Sequence, residues 1–257
     1  MKLYEIVFSP TGGTRKAADI VAEVFECTKE VVDITETAVV LEAAKEDVCL
    51  VAVPSFGGRV PTIAVERMAQ MVGNGAKTVM ICVYGNRAYE DTLLELKDTL
   101  VAAGFNPVAA ISAVAEHSIM HQYATGRPDA DDRTQLQGFA KQIIVKLENA
   151  DEGSSDEMSM VEVPGNRPYK EYGGVPLKPK AGKKCDGCGI CAKLCPVNAI
   201  FESNPKETEG NICISCMRCI AVCPKKARVL NKFMVAAASK KLKKACEIRK
   251  KNELFIG

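Results

Sequence analysis

The stretch LYEIVFSPTGGTRKAADIVAEVF, residues Leu3–Phe25, predicts a strand, a turn and a helix in succession. Leu3–Phe8 is almost continuously apolar, which is typical of a strand buried on both faces of a sheet. Gly12 and Gly13 follow in a short polar loop. The next apolar side chains recur at the three- and four-residue spacing of one helix face, at Ala17, Ile20, Val21, Val24 and Phe25.

The same alternation continues through residues 1–150. Further strands are predicted at Glu30–Ile34, Val48–Val53, Thr78–Tyr84 and Pro107–Val114. Helical stripes recur at Leu93, Leu96 and Leu100, and at Leu136, Phe139, Ile143 and Leu147. Strands that alternate with helices predict an α/β fold, a doubly wound parallel five-stranded sheet with ligands beyond the carboxyl ends of its strands.

The chain changes character after residue 150. Residues 151–182 are rich in acidic, small, Pro and Gly residues and predict a linker. A small α+β cysteine module is predicted at residues 183–230, followed by a basic C-terminal helix at 231–257. The net charge is −6 for residues 1–150 and +8 for residues 151–257, and this asymmetry also favours two modules.

Composition narrows the class of protein. No stretch approaches the roughly 20 apolar residues that span a bilayer, so no membrane span is expected. The N-terminus lacks the charged start and apolar core of a signal peptide. A cytoplasmic protein is therefore expected, in which the 12 cysteines serve metal or redox chemistry and not disulfides.

Two runs of cysteines share one spacing. CDGCGICAKLCP, Cys185–Pro196, and CISCMRCIAVCP, Cys213–Pro224, both read C-x2-C-x2-C-x3-C-P, with corresponding cysteines 28 residues apart. Thiolates are soft ligands that suit iron–sulfur clusters. Three cysteines two residues apart can wrap one cluster, whereas the fourth lies too far along to close easily on it. Structural zinc is the alternative, but zinc sites commonly use two C-x2-C pairs or Cys/His mixtures.

Residues 183–230 resemble the bacterial two-cluster ferredoxins. In that family the fourth cysteine of each run ligates the other cluster. The resemblance implies two [4Fe–4S] clusters with crossed ligands. One cluster would take Cys185, Cys188, Cys191 and Cys223, and the other Cys195, Cys213, Cys216 and Cys219.

The loop SPTGGT lies between the first predicted strand and the first predicted helix. Its hydroxyls and glycine N–H groups favour a phosphate cradle at the helix N-terminus. The candidate phosphate ligands are Ser9, Thr11, Gly12, Gly13 and Thr14. The alternative is a plain glycine turn with Thr14 as the helix N-cap. The loop matches neither G-x-G-x-x-G nor a Walker motif.

SPTGGT resembles the S/T-x-T-G-x-T loop of flavodoxins, which binds the FMN phosphate, although many flavodoxins have Asn where this chain has Gly13. The resemblance covers about residues 1–150 and implies the flavodoxin-like strand order 2-1-3-4-5. Two more loops fall where that family contacts the flavin ring. Their candidate residues are Ser55, Phe56, Gly57 and Gly58, then Tyr84, Gly85, Asn86, Arg87 and Tyr89. A plain glycine turn is the alternative for the first loop.

The segment AEHSIMHQYATGRPDADDR is long for a loop after a strand, which hints at function. His117 and His121 are candidates to protonate a reduced flavin or meet a substrate. Ordinary surface-loop histidines are the alternative, and we favour it.

Both modules together resemble the flavodoxin–ferredoxin fusion proteins of anaerobic bacteria and archaea. The first hypothesis is an electron-transfer protein that passes electrons between two [4Fe–4S] clusters and FMN and couples one-electron carriers to a two-electron partner. The expected partner is a redox protein or a small electron acceptor, and no nucleic acid. The second hypothesis is an FMN-dependent reductase of a small molecule. A third has the basic tail docking on an acidic protein or a nucleic acid; we favour a packed helix there.

Overall fold

The computed structural model describes residues 1–153 and 160–256. Its first part contains β1 (Lys2–Val7), α1 (Gly13–Ala22), β2 (Thr28–Asp33), β3 (Val48–Pro54), α2 (Thr62–Met68), β4 (Lys77–Tyr84), α3 (Thr92–Ala102), β5 (Asn106–Val114) and α4 (Ala130–Gly153). The second part contains β6 (Lys180–Ala181), α5 (Ile190–Lys193), α6 (Arg218–Ala221), β7 (Arg228–Val229), α7 (Lys232–Cys246) and β8 (Glu253–Ile256). In these ranges no helix combines the length and the hydropathy of a bilayer-crossing segment.

Five strands form a parallel sheet in the order β2-β1-β3-β4-β5. This is the flavodoxin-like order of doubly wound sheets, and the predicted fold class is confirmed. The register aligns Val7 with Ala52 and Pro54 with Val83. The carboxyl ends of β1, β3 and β4 therefore meet at one edge, and the loops that follow them share that edge.

Two apolar cores cover the faces of this sheet. One contains the buried side chains of α1 and α4, among them Ile20 and Leu136. The other contains those of α2 and α3, among them Met68 and Leu96. The helical stripes predicted from the sequence correspond to α1, α3 and α4. The seven-residue α2 was not predicted, because about two helical turns give too short a periodic pattern to recognise.

The C-terminal tail corrects the predicted strand count. A helix was expected there, and α7 is that helix, but the chain then returns to the sheet as β8. This strand pairs antiparallel with β5, from Ala109 opposite Ile256 to Ser112 opposite Glu253, and makes a six-stranded sheet. A four-residue strand carries almost no sequence signal, and here an edge left open by β5 decides its conformation.

Buried polar side chains fasten this tail. Asn252 accepts a hydrogen bond from the Val114 N–H at 2.9 Å and donates to Asp132 Oδ1 at 3.0 Å. Asp132 also forms a buried ion pair with Arg127, whose Nη1 donates to the Lys250 carbonyl. Buried hydrogen bonds, and not surface contacts alone, therefore hold the tail against the sheet.

The sequence repeat of the cysteine module is also a repeat of local structure. Gly189 and Met217, 28 residues apart, both adopt left-handed backbone conformations, with φ of 77° and 64°. Each immediately precedes a four-residue helix, α5 or α6. The short antiparallel pair β6–β7 joins the ends of the module.

Much of the predicted linker packs against the sheet domain. Val161 is buried and its N–H donates to the Pro107 carbonyl. The Asp91 carboxylate, at the N-cap of α3, accepts the N–H groups of Asn166 and Lys170. Residues 154–159 of that linker lie outside the described residues, and the domain boundaries stay predictions.

The Asn252 contacts predict a loss of stability on truncation. Asn252→Ala leaves the buried Val114 N–H without its acceptor and removes one of the donors to Asp132, which costs about 1–3 kcal/mol of unfolding free energy. Urea unfolding of the purified protein measures this, with Lys251→Ala at an exposed neighbouring position as the control. Equal midpoints for the two variants would contradict the role of Asn252.

Glu5 predicts a pH dependence. It is buried in β1, and burial, with the neighbouring Asp19 carboxyl, raises the pKa of Glu5 to about 7. The folded state then binds a proton that the unfolded chain releases near its ordinary pKa, so stability falls as pH rises from about 4.5 to 7. Glu5→Gln should abolish this fall and exceed the wild type at pH 8 by on the order of 2 kcal/mol. Thermal unfolding across pH checks it, with exposed Glu26→Gln as the control; parallel Glu5→Gln and wild-type curves would refute it.

Candidate functional site

The eight motif cysteines surround two small cavities in the cysteine module. Cys185, Cys188, Cys191 and Cys223 line one of them, and we refer to these as the first quartet. Cys195, Cys213, Cys216 and Cys219 line the other and form the second quartet. Each quartet takes three cysteines from one run and the fourth from the other, as the crossed pattern requires. Among the described residues, no three His, Cys, Asp or Glu side chains are grouped so as to hold a single metal ion.

Backbone N–H groups point at the cysteine sulfurs. The Ala199 N–H donates to Cys195 Sγ at 3.3 Å, and 28 residues later the Ala227 N–H donates to Cys223 Sγ at 3.2 Å. The Ser215 N–H donates to Cys213 Sγ at 3.4 Å. Such donors stabilise thiolate ligands and raise cluster potentials.

Two buried cysteines of the second quartet need a positive partner to ionise. Burial raises the pKa of Cys216 and of Cys219 to about 12, so both are protonated thiols at neutral pH when nothing binds them. Iron displaces such protons and supplies the charge that a buried thiolate lacks. Four sulfurs around each cavity, with N–H donors behind them, fit an iron–sulfur cluster.

A larger covered cavity of about 510 Å³ lies at the carboxyl edge of the sheet. Its floor comes from the loops after β3, β4 and β5, and its cover comes from residues 172–177, the cysteine module and α7. Seven of the predicted site residues line it: Ser55, Phe56, Gly57, Tyr84, Gly85, Arg87 and His117. Its volume and its mixture of aromatic, glycine and polar walls match small-molecule sites.

A buried carboxylate fixes the loop after β3. Glu95 on α3 accepts hydrogen bonds from Nε and Nη2 of Arg59, at 2.8 and 2.7 Å, and from the Val60 N–H at 2.7 Å. A bidentate pair of this kind holds orientation as well as position. Ser55 and Phe56 are thereby presented to the covered cavity from a rigid loop.

Three predicted flavin contacts lie elsewhere. The Asn86 amide donates to the carbonyls of Cys246 and Ile248, at 2.6 and 2.9 Å, so it holds the tail. Tyr89 donates to Glu253 of β8 at 2.7 Å. At Gly58, with φ of +94°, a Cβ would meet Glu90 at 1.9 Å. The tail and α3 engage these residues, and they do not line the covered cavity.

The SPTGGT loop has the form of an anion cradle beside that cavity, not within its lining. Gly12, with φ of +90°, is the N-cap of α1, and Thr14 lies inside the helix, so the N-cap alternative for Thr14 is wrong. The Ser9 hydroxyl accepts the Arg15 N–H at 2.9 Å. Gly13 packs against Ala115, two residues before His117 in the cavity wall. Thr11 and Gly12 are exposed at the helix N-terminus, where N–H groups and the dipole favour an anion.

The two candidate histidines lie in different environments. His117 lines the covered cavity, and its Nδ1 accepts the N–H groups of Ile119 and Met120, which leaves the ring proton on Nε2. Burial, with repulsion from His121 and Arg87, lowers the pKa of His117 to about 4, so the ring is neutral at pH 7. His121 lies outside this cavity. It is exposed, and its Nδ1 lies 2.7 Å from Glu116 Oε1, which fits the alternative of an ordinary surface-loop histidine.

The cover of the cavity was not predicted. Tyr172 lies over Gly57, where a Cβ would meet its ring at 2.3 Å. Met234, Ala238 and Leu242 of α7 form another part of the cover. The tyrosines of the linker and the apolar stripe of the tail were the available signals, but neither tells which surface it packs on.

Arg67 joins the cysteine module to the sheet. It is buried on α2, and its guanidinium donates to the carbonyls of Ile34 and Thr35, at 2.8 and 2.7 Å, and to Pro196 at 2.6 Å. Pro196 directly follows Cys195 of the second quartet. The second quartet is thereby held at the edge that carries the SPTGGT loop, since Thr35 Oγ1 accepts the Ser9 N–H.

Comparisons with known proteins agree with this division of the chain. The family described as a 4Fe-4S dicluster domain matches residues 184–229. An uncharacterised protein from the rpl9–rpl11 intergenic region of Porphyra purpurea is 36% identical over 58 residues, 20% of this chain and 77% of that protein.

Solved structures similar to the sheet domain include oxidised flavodoxin 1 from Bacillus cereus. It is 17% identical and the match covers 56% of this chain and 98% of that one, with a TM-score of 0.40. A flavodoxin from the domain Archaea is 13% identical over 58% of this chain and 99% of that one, with a TM-score of 0.41.

The crossed quartets predict which cluster each cysteine supports. Cys195→Ser should damage the same cluster as Cys216→Ser and spare the cluster that Cys188→Ser damages, because Cys195 lines the second cavity. EPR and Mössbauer spectra of the three anaerobically reconstituted variants make the comparison. If the Cys195→Ser spectrum matched that of Cys188→Ser, the crossing would be wrong.

Proposed function

We propose that the chain, which has a 4Fe-4S dicluster domain behind a sheet of flavodoxin-like strand order, is a flavodoxin–ferredoxin fusion that passes electrons between two [4Fe–4S] clusters and FMN. An electron-transfer role follows already from the two domains. The coupling between them is the proposal, and it is carried by one observation: the cysteine module forms part of the wall of the covered cavity.

One residue of that wall also lines a cysteine cavity. Ile214 lines both the covered cavity and the cavity of the second quartet, and Ser215 beside it faces the covered cavity. Ile214 lies directly between Cys213 and the Ser215 whose hydroxyl donates to the Val175 carbonyl at 3.0 Å. The second quartet is therefore the one next to the covered cavity.

The two quartets are themselves neighbours. Cys191 of the first quartet and Cys219 of the second pack in one apolar cluster with Ala192 and Ile200. We infer a linear route from the first quartet to the second, and from there past Ile214 to the covered cavity.

In this proposal the covered cavity and the SPTGGT loop bind different parts of FMN. The loop, at the N-terminus of α1, would take the phosphate, and the ring would lie among Phe56, Tyr84 and Tyr172. When bound, the flavin supplies a two-electron centre beside the one-electron clusters. The neutral His117 presents its Nε2 proton as a hydrogen-bond donor in this site.

The cover decides how partners gain access. Residues 172–177 and α7 line the cavity opposite the sheet loops, which narrows the access of a protein partner to the ring. We propose that a redox protein exchanges electrons at the cysteine module, in the reducing cytoplasm. A small acceptor that enters the covered cavity is the second candidate, an FMN-dependent reductase, and the room beside His117 and Ser118 is the observation that favours it.

Intramolecular transfer can be tested with a variant that lacks the flavin. Thr11→Asp puts a negative charge on an exposed position of the SPTGGT loop and should repel the FMN phosphate, with at least a tenfold loss of FMN affinity. Thr134→Asp, exposed in the first turn of α4, is the matched control. FMN and iron are assayed after anaerobic reconstitution.

The same proteins then separate transfer within a molecule from transfer between molecules. After rapid mixing with less than one equivalent of dithionite, wild type and Thr134→Asp should equilibrate clusters and flavin at a rate independent of protein concentration. Thr11→Asp should show cluster reduction alone. A rate that rises in proportion to protein concentration, or clusters and flavin that never equilibrate, would overturn the coupling.

A further inference from the structure

Two arginines line the cysteine cavities with a buried donor that has no acceptor. Arg228 lines the cavity of the first quartet and Arg218 that of the second. In both, the Nε atom is buried and lacks a hydrogen-bond partner among the described residues. A buried charged donor without an acceptor is costly, so each Nε marks a place for an anionic group.

These arginines break the internal symmetry of the module. The residues 28 positions earlier, Ile190 and Ile200, line the opposite cavities. Each cavity therefore takes one isoleucine and one arginine from these four positions, but at exchanged places of the repeat. The two cavities have the same cysteine geometry and different charged neighbours.

Arg228 brings a charge that no carboxylate neutralises. It is only 3% exposed. Its Nη1 donates to Thr208 Oγ1 at 2.8 Å, and its Nη2 donates to the Pro205 carbonyl and to Cys191 Sγ, the latter at 3.4 Å. No ion pair to Arg228 exists in the part of the chain that the structure describes. The first quartet thus has a full positive charge against it.

Arg218 is arranged differently. Its Nη2 forms an ion pair with Glu36, in the loop after β2, and its Nη1 donates to the Pro10 carbonyl of the SPTGGT loop at 3.4 Å. The Glu36 carboxylate offsets most of the field that Arg218 exerts at a distance. Of the two arginines that line the quartet cavities, only Arg218 therefore has a carboxylate partner within residues 1–153 and 160–256. Arg67 and Lys178 also lie near the second quartet, but they donate to main-chain carbonyls and do not line its cavity.

We propose that Arg228 and Arg218 each donate their Nε–H to a sulfur of the adjacent cluster, and that Arg228 gives the first-quartet cluster the higher reduction potential. The inference rests on the proposed function, since it requires both clusters. Reduction adds a negative charge to a cluster, and a buried positive charge and N–H donors stabilise that state. The unequal partners of the two arginines separate the two potentials.

This separation has a direction along the chain of sites. The second-quartet cluster, which lies next to the covered cavity through Ile214, is the more reducing of the two. The first-quartet cluster holds the electron at rest. Electron transfer from the first-quartet cluster to the second is therefore uphill in free energy. Delivery to an acceptor in the covered cavity is expected only when the first-quartet cluster is already reduced.

Redox titration of the reconstituted holoprotein, followed by EPR, tests the proposal. Arg228→Gln should shift the first-quartet potential to more negative values and shift the second by less, since Cys219 of the second quartet packs beside the Cys191 that Arg228 contacts. Arg228→Lys, which keeps the charge and loses the Nε donor, should fall between Arg228→Gln and wild type. Lys193→Gln removes an exposed cation from the same module and is the control.

Glu36→Gln is the decisive variant. It leaves Arg218 unneutralised and should raise the second-quartet potential, a change that a merely structural role of Glu36 would not produce. It also keeps the proposal testable if Arg228→Gln fails to assemble its cluster. Wild type without two clusters would refute the proposed function itself. Two clusters whose potentials are equal, or unmoved by both Arg228→Gln and Glu36→Gln, would overturn this inference alone.

Discussion

The position of the cysteine module depends on the Arg67 guanidinium. Its nitrogens donate to the main chain of the loop after β2, at Ile34, Thr35 and Glu36, and to Pro196 beside the second quartet. Burial lowers the pKa of Arg67, yet an arginine stays charged at any ordinary pH. Loss of this side chain would leave several buried carbonyls without donors, so sheet edge and cysteine module are fixed together.

The covered cavity is formed by segments that lie far apart in the sequence. The floor is a property of the sheet, where parallel strands end and their loops must turn. The cover comes from the linker, the cysteine module and α7, each held by its own polar anchor: Asp91 for the linker, Arg67 for the module and Asn86 for the tail. Such a site is closed by contacts between modules, while either module alone would leave it open.

The sequence predicted what local chemistry dictates. Apolar runs placed β1, β3, β4 and β5 within one residue at nearly every end, because strands covered on both faces leave a plain signal. Edge strand β2 was placed less well, since of its side chains only Val32 is buried. The spacing of the cysteines indicated iron–sulfur chemistry, whereas the crossed quartets were implied by the resemblance to two-cluster ferredoxins; the two cavities group the same cysteines.

What escaped prediction was set by long-range contacts. Asn86 follows β4 as a flavin contact would, but its partners lie 160 and 162 residues further along the chain. Gly58 and Tyr89 were misplaced for the same reason. A pattern within one loop gives the chemistry that a side chain can perform, and only the folded chain shows which neighbour it performs that chemistry with.

The antiparallel strand β8 also orders events during synthesis. The five parallel strands and α4 leave the ribosome first and can fold as a unit, but the outer edge of β5 stays open until residues 253–256 emerge. The cysteine module is made in that interval. During that interval the open edge of β5 is exposed to pairing with the strands of other chains, and the arrival of β8 closes it.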